Sequence, residues 1–128
     1  MGYNRGEYRL PVVIHTHPGF EEEFQDLLCK FQKKVQDRLQ KAFRLRMRRL
    51  SERGKQVIVE PYFEKLTGES NLYSCKLSMK NPNLRILFAF LGTDVVLLTI
   101  FSEKGRSDYN KAIRRAKGRL RDFHEGIV

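Results

Sequence analysis

The sequence has no tryptophan and only two cysteines, three histidines and four prolines in 128 residues. Two thiols, Cys29 and Cys75, cannot build a disulfide framework. Each stands among apolar neighbours and reads as a small buried hydrophobe. Neither has a nearby base that would make it a nucleophile. His15 and His17 form an H-x-H pair whose imidazoles would share one side of a strand. No third ligand is spaced near them, so no metal and no other cofactor is expected. The Gly-rich phosphate loops, the G-x-S-x-G elbow and the H-E-x-x-H helix are all absent. No apolar run reaches the ~18 residues of a membrane span. The longest, Ile86 to Phe101, is broken by Gly92, Thr93, Asp94 and Thr99. The first nine residues carry no apolar segment, so no secretory signal is expected. A cytoplasmic protein with reduced thiols and no membrane partner is the simplest reading.

Acidic residues are the scarce charge: 15 Asp and Glu stand against 25 Lys and Arg, for a net charge of +10. Such a balance points to a polyanionic partner. The alternative is a basic surface that is merely solvated. One basic run extends from Lys30 to Lys55 with only Asp37 and Glu52 opposing it. A second, Lys104 to Arg121, is opposed by Asp108 within it and Asp122 beside it. Glu21, Glu22 and Glu23 follow Pro18-Gly19, where they would complement the positive end of a helix dipole.

A length of 128 residues fits one domain over residues 1–128. Leu10 to His15 predicts a first strand, at an edge because of Pro11. From Phe20 to Leu50 apolar residues recur at three- and four-residue steps without Gly or Pro. A single helix there would span ~45 Å, long for a domain of this size. One helix or a hairpin bending near Lys30–Lys34 both fit, the hairpin better. Gly54 suits a C-cap. Gln56 to Glu60 reads as extended or loop, and Tyr62 to Leu66 as one helical turn. Three strands follow, at Leu72–Met79, Leu84–Leu91 and Val95–Phe101, the last reading as central. Short turns at Asn81-Pro82-Asn83 and Gly92-Thr93-Asp94 make them antiparallel. Ser107 or Asp108 would cap a closing helix with Ala112, Ile113, Ala116, Leu120 and Phe123 inward. The fold class is α+β: an N-terminal strand, one or two basic helices, an antiparallel sheet of about four strands and a C-terminal helix, the helices against one sheet.

Within this frame Lys76 and Arg85 fall on neighbouring strands, where a hairpin would put both on one face. Lys104, Arg106 and Tyr109 follow the last strand, and His124 ends the last helix. Such a set would clamp a phosphate and stabilise charge developing on it. Arg115 and Arg119, on the same helix, are further candidates for binding phosphate. For each position the plainer reading is an exposed polar residue alternating with core ones.

From Tyr62 onward the sequence resembles the RelE/HigB toxins of bacterial type II toxin–antitoxin systems, phage-borne relatives included. Leu66-Thr67-Gly68 with Leu72-Tyr73-Ser74-Cys75-Lys76-Leu77 is similar to one family strand. Leu84-Arg85-Ile86-Leu87-Phe88-Ala89-Phe90 is similar to a second, and Val95 to Lys104 to a third. Asp108-Tyr109, Ala112-Ile113, Ala116, Arg119-Leu120 and Phe123 are similar to the closing helix. The resemblance implies a ribosome-dependent mRNA endonuclease that inhibits translation without a metal, through attack of a ribose 2′-hydroxyl on the adjacent phosphate. It also implies two partners, mRNA on the ribosome and an acidic antitoxin protein. By position, Lys76 and Arg85 match strand cations, Tyr109 a substrate-facing tyrosine, and Lys104 and Arg106 a basic turn. His124 follows Phe123 where some members end in Tyr-His. Glu103 stands where Lys is common, Ser74 where Glu or Lys is common, Leu84 where Tyr is frequent, and Phe123 in place of a frequent Tyr. A non-catalytic RNA- or ribosome-binding module, or a protein-interaction module, on the same fold is the alternative.

Overall fold

A computed structural model describes residues 12–78 and 80–128. The elements run β1 (Ile14–Thr16), α1 (Pro18–Leu28), α2 (Lys33–Arg53), a 3-10 segment (Gly54–Val59), β2 (Phe63–Lys65), β3 (Tyr73–Lys76), β4 (Leu84–Leu91), β5 (Asp94–Ser102) and α3 (Arg106–His124). One mixed sheet has the order β1-β5-β4-β3-β2. The α+β class and the C-terminal helix are as expected. Leu10 and Pro11 of the expected first strand, and Met79 of the expected Leu72–Met79 strand, lie outside the described residues.

The basic helical region is a hairpin. Phe43 of α2 lies 5.0 Å from Phe24 and 6.1 Å from Phe20, ring centroid to centroid. In one straight helix, nineteen residues would separate Phe24 from Phe43 by about 28 Å. The turn carries no Gly or Pro. Its amides close with short bonds, Lys30 N to Leu27 O and Phe31 N to Leu28 O, and the Gln36 side chain donates to Phe31 O at 2.9 Å. Burial of both apolar stripes on one sheet face makes the turn. Gly54, at φ 57°, caps α2 as expected.

Four local expectations are corrected. Cys75 is buried as expected, but Cys29, just past the end of α1, is exposed. Tyr62 to Leu66 is not a helical turn: Phe63 to Lys65 pair with Cys75 to Tyr73 as a strand, because five residues carry no period and an adjacent strand satisfies their backbone. Gln56 to Glu60 lies mostly within the 3-10 segment. Neither Ser107 nor Asp108 caps α3: Gly105 is the N-cap, and the Asp108 carboxylate accepts from Lys104 N at 3.0 Å within the first turn.

The sheet is covered on both faces. Phe20, Phe24, Leu39 and Leu50 of α1 and α2 pack with Ile86, Phe88, Val95 and Leu97. Ala112 and Ala116 of α3 pack on the other side with Leu87, Ala89, Val96 and Leu98. Burial from two sides explains why β4 and β5 read as nearly unbroken apolar runs. β4 holds the middle of the sheet, and β5 lies between it and β1. β1 runs parallel to β5, Ile14 opposite Val95, so the sheet is not wholly antiparallel. No turn joins those two strands, and no turn length sets their direction.

β1 ends at Thr16, opposite Leu97. Beyond that point a bulge inserts Leu98, since Leu87 faces Thr99 but Phe88 faces Leu97. The open edge is closed by side chains. Arg119 Nη1 donates to Leu98 O at 2.9 Å, and Ile100 N donates to Glu23 Oε1 at 3.4 Å. Among the described residues no helix is long and apolar enough to cross a membrane.

Candidate functional site

The antiparallel pairing of β3 and β4 sets Lys76 directly opposite Arg85. Strand alternation then puts Ser74, Lys76 and Arg85 on the α3 face. Glu64 of β2, opposite Ser74, joins them. The expectation that Lys76 and Arg85 share a face holds, because a short hairpin admits few registers.

Arg85 is the best-connected side chain of this face. Its Nε donates to Glu103 Oε1 at 2.7 Å, and its Nη1 donates to Glu64 Oε1 and to Ser74 Oγ, each at 3.1 Å. Asn83 Nδ2 donates to the same Glu103 oxygen at 3.1 Å. The guanidinium carbon lies 5.4 Å from the Tyr109 ring centroid, within cation–π range. Burial alone would lower the Arg85 pKa, but the bond to Glu103 and the charge field of Tyr109, Glu103 and Glu64 raise it. Arg85 is therefore a permanent cation.

Tyr109 comes from the first turns of α3 and packs edge-on against Phe101, 5.4 Å between centroids. Burial pushes its pKa up, against smaller opposing effects from the nearby Ser74 hydroxyl and Arg85. The phenol keeps its proton at neutral pH. Its oxygen is buried, and the geometry around it completes no hydrogen bond. The same is true of Asn83 Oδ1. Both residues line an open cleft of about 590 Å³ that also takes in Glu103, Lys104, Gly105 and Arg106. Lys104 and Arg106 are exposed, and Lys76 is half-buried. None of these three side chains forms an ion pair among the described residues. The cleft thus has two unpaired cations, Lys104 and Arg106, and Tyr109 in its lining, with Arg85 against the Tyr109 ring and Lys76 opposite Arg85 on β3, which suits an anion with several oxygens.

Three expected site residues are elsewhere. His124 lies fifteen residues beyond Tyr109 on one helix, about 22 Å along its axis, beside a separate depression lined by Glu69, Leu72 and Leu120. Arg119 makes a two-pronged contact to Glu23, Nη1 to Oε1 at 2.7 Å and Nη2 to Oε2 at 3.1 Å. Arg115 Nε lies 2.9 Å from Thr99 Oγ1 and 3.1 Å from Glu23 Oε2. These two arginines hold α3 to α1 rather than open onto the cleft. Burial would raise the Glu23 pKa, but hydrogen bonds from Arg119 and Thr99 and the two positive charges lower it. A Cβ on Gly19 would stand 2.6 Å from the Arg119 guanidinium carbon, so glycine makes room for this arginine. Of the acidic triplet only Glu21 lies in the first turn of α1. The histidines of the H-x-H pair diverge: His15 bonds Asp94 at 3.1 Å, while His17 caps α1 and bonds Asp122 at 3.0 Å.

Sequence reasoning did not single out Glu64 or Arg46. Arg46 Nε and Nη2 donate to Lys76 O and Leu77 O at 3.1 and 3.0 Å, and its guanidinium carbon sits 3.4 Å from the Tyr62 ring centroid. It therefore braces the strand that carries Lys76. Its spacing, seven residues after Leu39 and four before Leu50, places it on the buried side of α2 and was a legible signal. Glu64 carried no such signal.

The model of a family described as "Phage derived protein Gp49-like (DUF891)" matches residues 27–121. No curated protein matches the sequence. Two solved structures share the fold. A double arginine-to-alanine mutant of the Escherichia coli toxin RelE in the free state is 16% identical with a TM-score of 0.53, over 82% of this chain and 97% of that one. The YoeB dimer from Staphylococcus aureus is 13% identical with a TM-score of 0.50, over 69% of this chain and 92% of the other.

Proposed function

The chain belongs to the Gp49-like family of phage-derived proteins, and from that premise, with a RelE-like fold, we propose that it is the toxin of a type II toxin–antitoxin system. In this reading it is a cytoplasmic, single-domain endoribonuclease that cuts mRNA on the ribosome and is neutralised by an acidic antitoxin. The observation that carries the reading is the cleft lined by Lys104, Arg106 and Tyr109, with Arg85 5.4 Å from the Tyr109 ring centroid and Lys76 opposite Arg85 on the next strand.

Lys76 and Arg85 hold the scissile phosphate and stabilise the negative charge that builds on its oxygens. The ribose 2′-oxygen bonds to phosphorus as its proton passes to Glu103, the carboxylate fixed against Arg85. The bond from phosphorus to the 5′-oxygen breaks, and the Tyr109 phenol, turned out of its buried position as the strand binds, supplies the proton that oxygen takes up. Lys104 and Arg106 hold neighbouring phosphates of the strand. His124, Arg115 and Arg119 have no part in this step.

The test is mRNA cleavage in a purified translation system, with and without ribosomes, for wild type and Arg85→Ala. Cleavage that requires both ribosomes and Arg85 is the expected result. A folded protein that never cleaves would overturn it. That outcome would favour a non-catalytic RNA-binding module, a reading supported by the full engagement of Arg85 with two carboxylates.

A further inference from the structure

The two carboxylates on Arg85 are held very differently. Glu103 is 23% exposed, and its Oε1 accepts from both Asn83 and Arg85. Its own backbone N donates to Asn83 O at 2.9 Å. Glu64 is 58% exposed and stands on β2, a three-residue strand at the edge of the sheet. Its one side-chain bond among the described residues is the 3.1 Å contact with Arg85 Nη1. That nitrogen is already bonded to Ser74 Oγ.

We propose that Glu64 is a displaceable stand-in for phosphate, occupying the Nη1 edge of Arg85 until an RNA phosphate replaces it, while Glu103 is the fixed partner that aims the guanidinium. The proposal rests on the reading of the cleft as an RNA phosphate site. A carboxylate and a phosphate offer an arginine similar paired oxygens. An exposed ion pair is weak, so exchange costs little. With both acids in place the Arg85 charge is cancelled, and the resting cleft keeps only the positive charge of Lys104 and Arg106. Removing Glu64 exposes the charge, whereas removing Glu103 leaves the guanidinium without its anchor. Glu64 is thus a gating residue, whereas Glu103 holds Arg85 in place in addition to its part in taking the 2′-proton.

The experiment titrates the full chain with inorganic phosphate at constant ionic strength and pH 7, following by NMR the backbone amides of Lys104 and Arg106, which every variant retains. Glu64→Gln keeps the shape of the side chain and removes its charge. It is expected to tighten phosphate binding about fivefold, as loss of a like charge a few ångströms from the anion implies. Glu103→Gln is expected to weaken binding, and Glu64→Gln combined with Arg85→Ala to abolish the gain. Thermal melting of each variant establishes that it is folded, and Glu64→Ser serves if Glu64→Gln is not. Unchanged or weaker binding in a folded Glu64 variant overturns the proposal, as does a gain that survives loss of Arg85. Tightened phosphate binding without mRNA cleavage would overturn the ribonuclease reading and leave the gate standing. Cleavage by wild type without tightening in the variant would do the reverse.

Discussion

Glu23 and Arg119, 96 residues apart in sequence, meet through two hydrogen bonds of 2.7 and 3.1 Å and bridge α1 to α3 across the part of β5 that β1 leaves uncovered. The pair does more than join two helices, because the same side chains satisfy Leu98 O and Ile100 N. Buried backbone groups left without partners are costly, so the ion pair substitutes for a missing strand.

Replacement of Arg119 by Ala is expected to destabilise the fold by about 2 kcal/mol, between the values for exposed and fully buried pairs. The pH dependence follows from Glu23. Its carboxyl is held below the ordinary value of 4.5 in the folded protein. The stabilisation is therefore complete above pH 4.5 and is lost as pH falls through the lower folded value. Denaturant melts from pH 7 to pH 3 should show this fall in wild type and a flatter profile in Glu23→Gln.

Tyr109→Phe separates stability from activity. The phenol oxygen is buried without a hydrogen bond, and such a group costs roughly 1–3 kcal/mol. The melting temperature of Tyr109→Phe should equal or exceed that of wild type, while mRNA cleavage drops at least tenfold. A lowered melting temperature would mean that the hydroxyl has a structural partner.

Phe88→Ala should destabilise by about 3–5 kcal/mol, as removal of a core aromatic does. Phe88 is fully buried, stacked on Tyr73 at 5.6 Å and edge-on to Phe63 and Phe90. Equilibrium unfolding in urea measures this directly, and a loss below 1 kcal/mol would contradict the packing.

Binding of a single-stranded RNA should weaken as salt rises. Lys34, Lys41, Arg44 and Arg48 lie on the exposed side of α2 and form no ion pairs among the described residues. If they meet phosphates, each contributes roughly 0.7 to the slope of log affinity against log salt. Lys41→Ala combined with Arg48→Ala should lower that slope by about 1.4. An unchanged slope would assign the salt dependence to the cleft alone.

The sequence reveals contacts made by neighbours in the chain better than contacts made at long range. The β4–β5 hairpin was legible because Gly92 and Thr93 leave room for one kind of turn and both faces are buried. The shared face of Lys76 and Arg85 follows from equally local geometry. The bend before α2 was suggested by length and marked by no residue, since packing of Phe20, Phe24 and Phe43 makes it. Phe63–Lys65 was misread because its partner strand, not its own period, decides its conformation. Arg115 and Arg119 looked like free cations because their acid, Glu23, sits near the other end of the chain. The distance that separates His124 from Tyr109 follows from helix rise alone, and that arithmetic was available from the sequence.

The parallel pairing of β1 with β5 has a consequence for synthesis. A chain leaves the ribosome N-terminus first, at ~5–20 residues per second. Ile14 must wait for Val95 before its strand has a neighbour, and Glu23 must wait longer still for Arg119. The helical hairpin can form while translation continues, but the sheet edge, its ionic closure and the cleft residues Lys104, Arg106 and Tyr109 all arrive in the last third. An interrupted or truncated product therefore has no assembled cleft, and the site is complete only when the message has been read almost to its end.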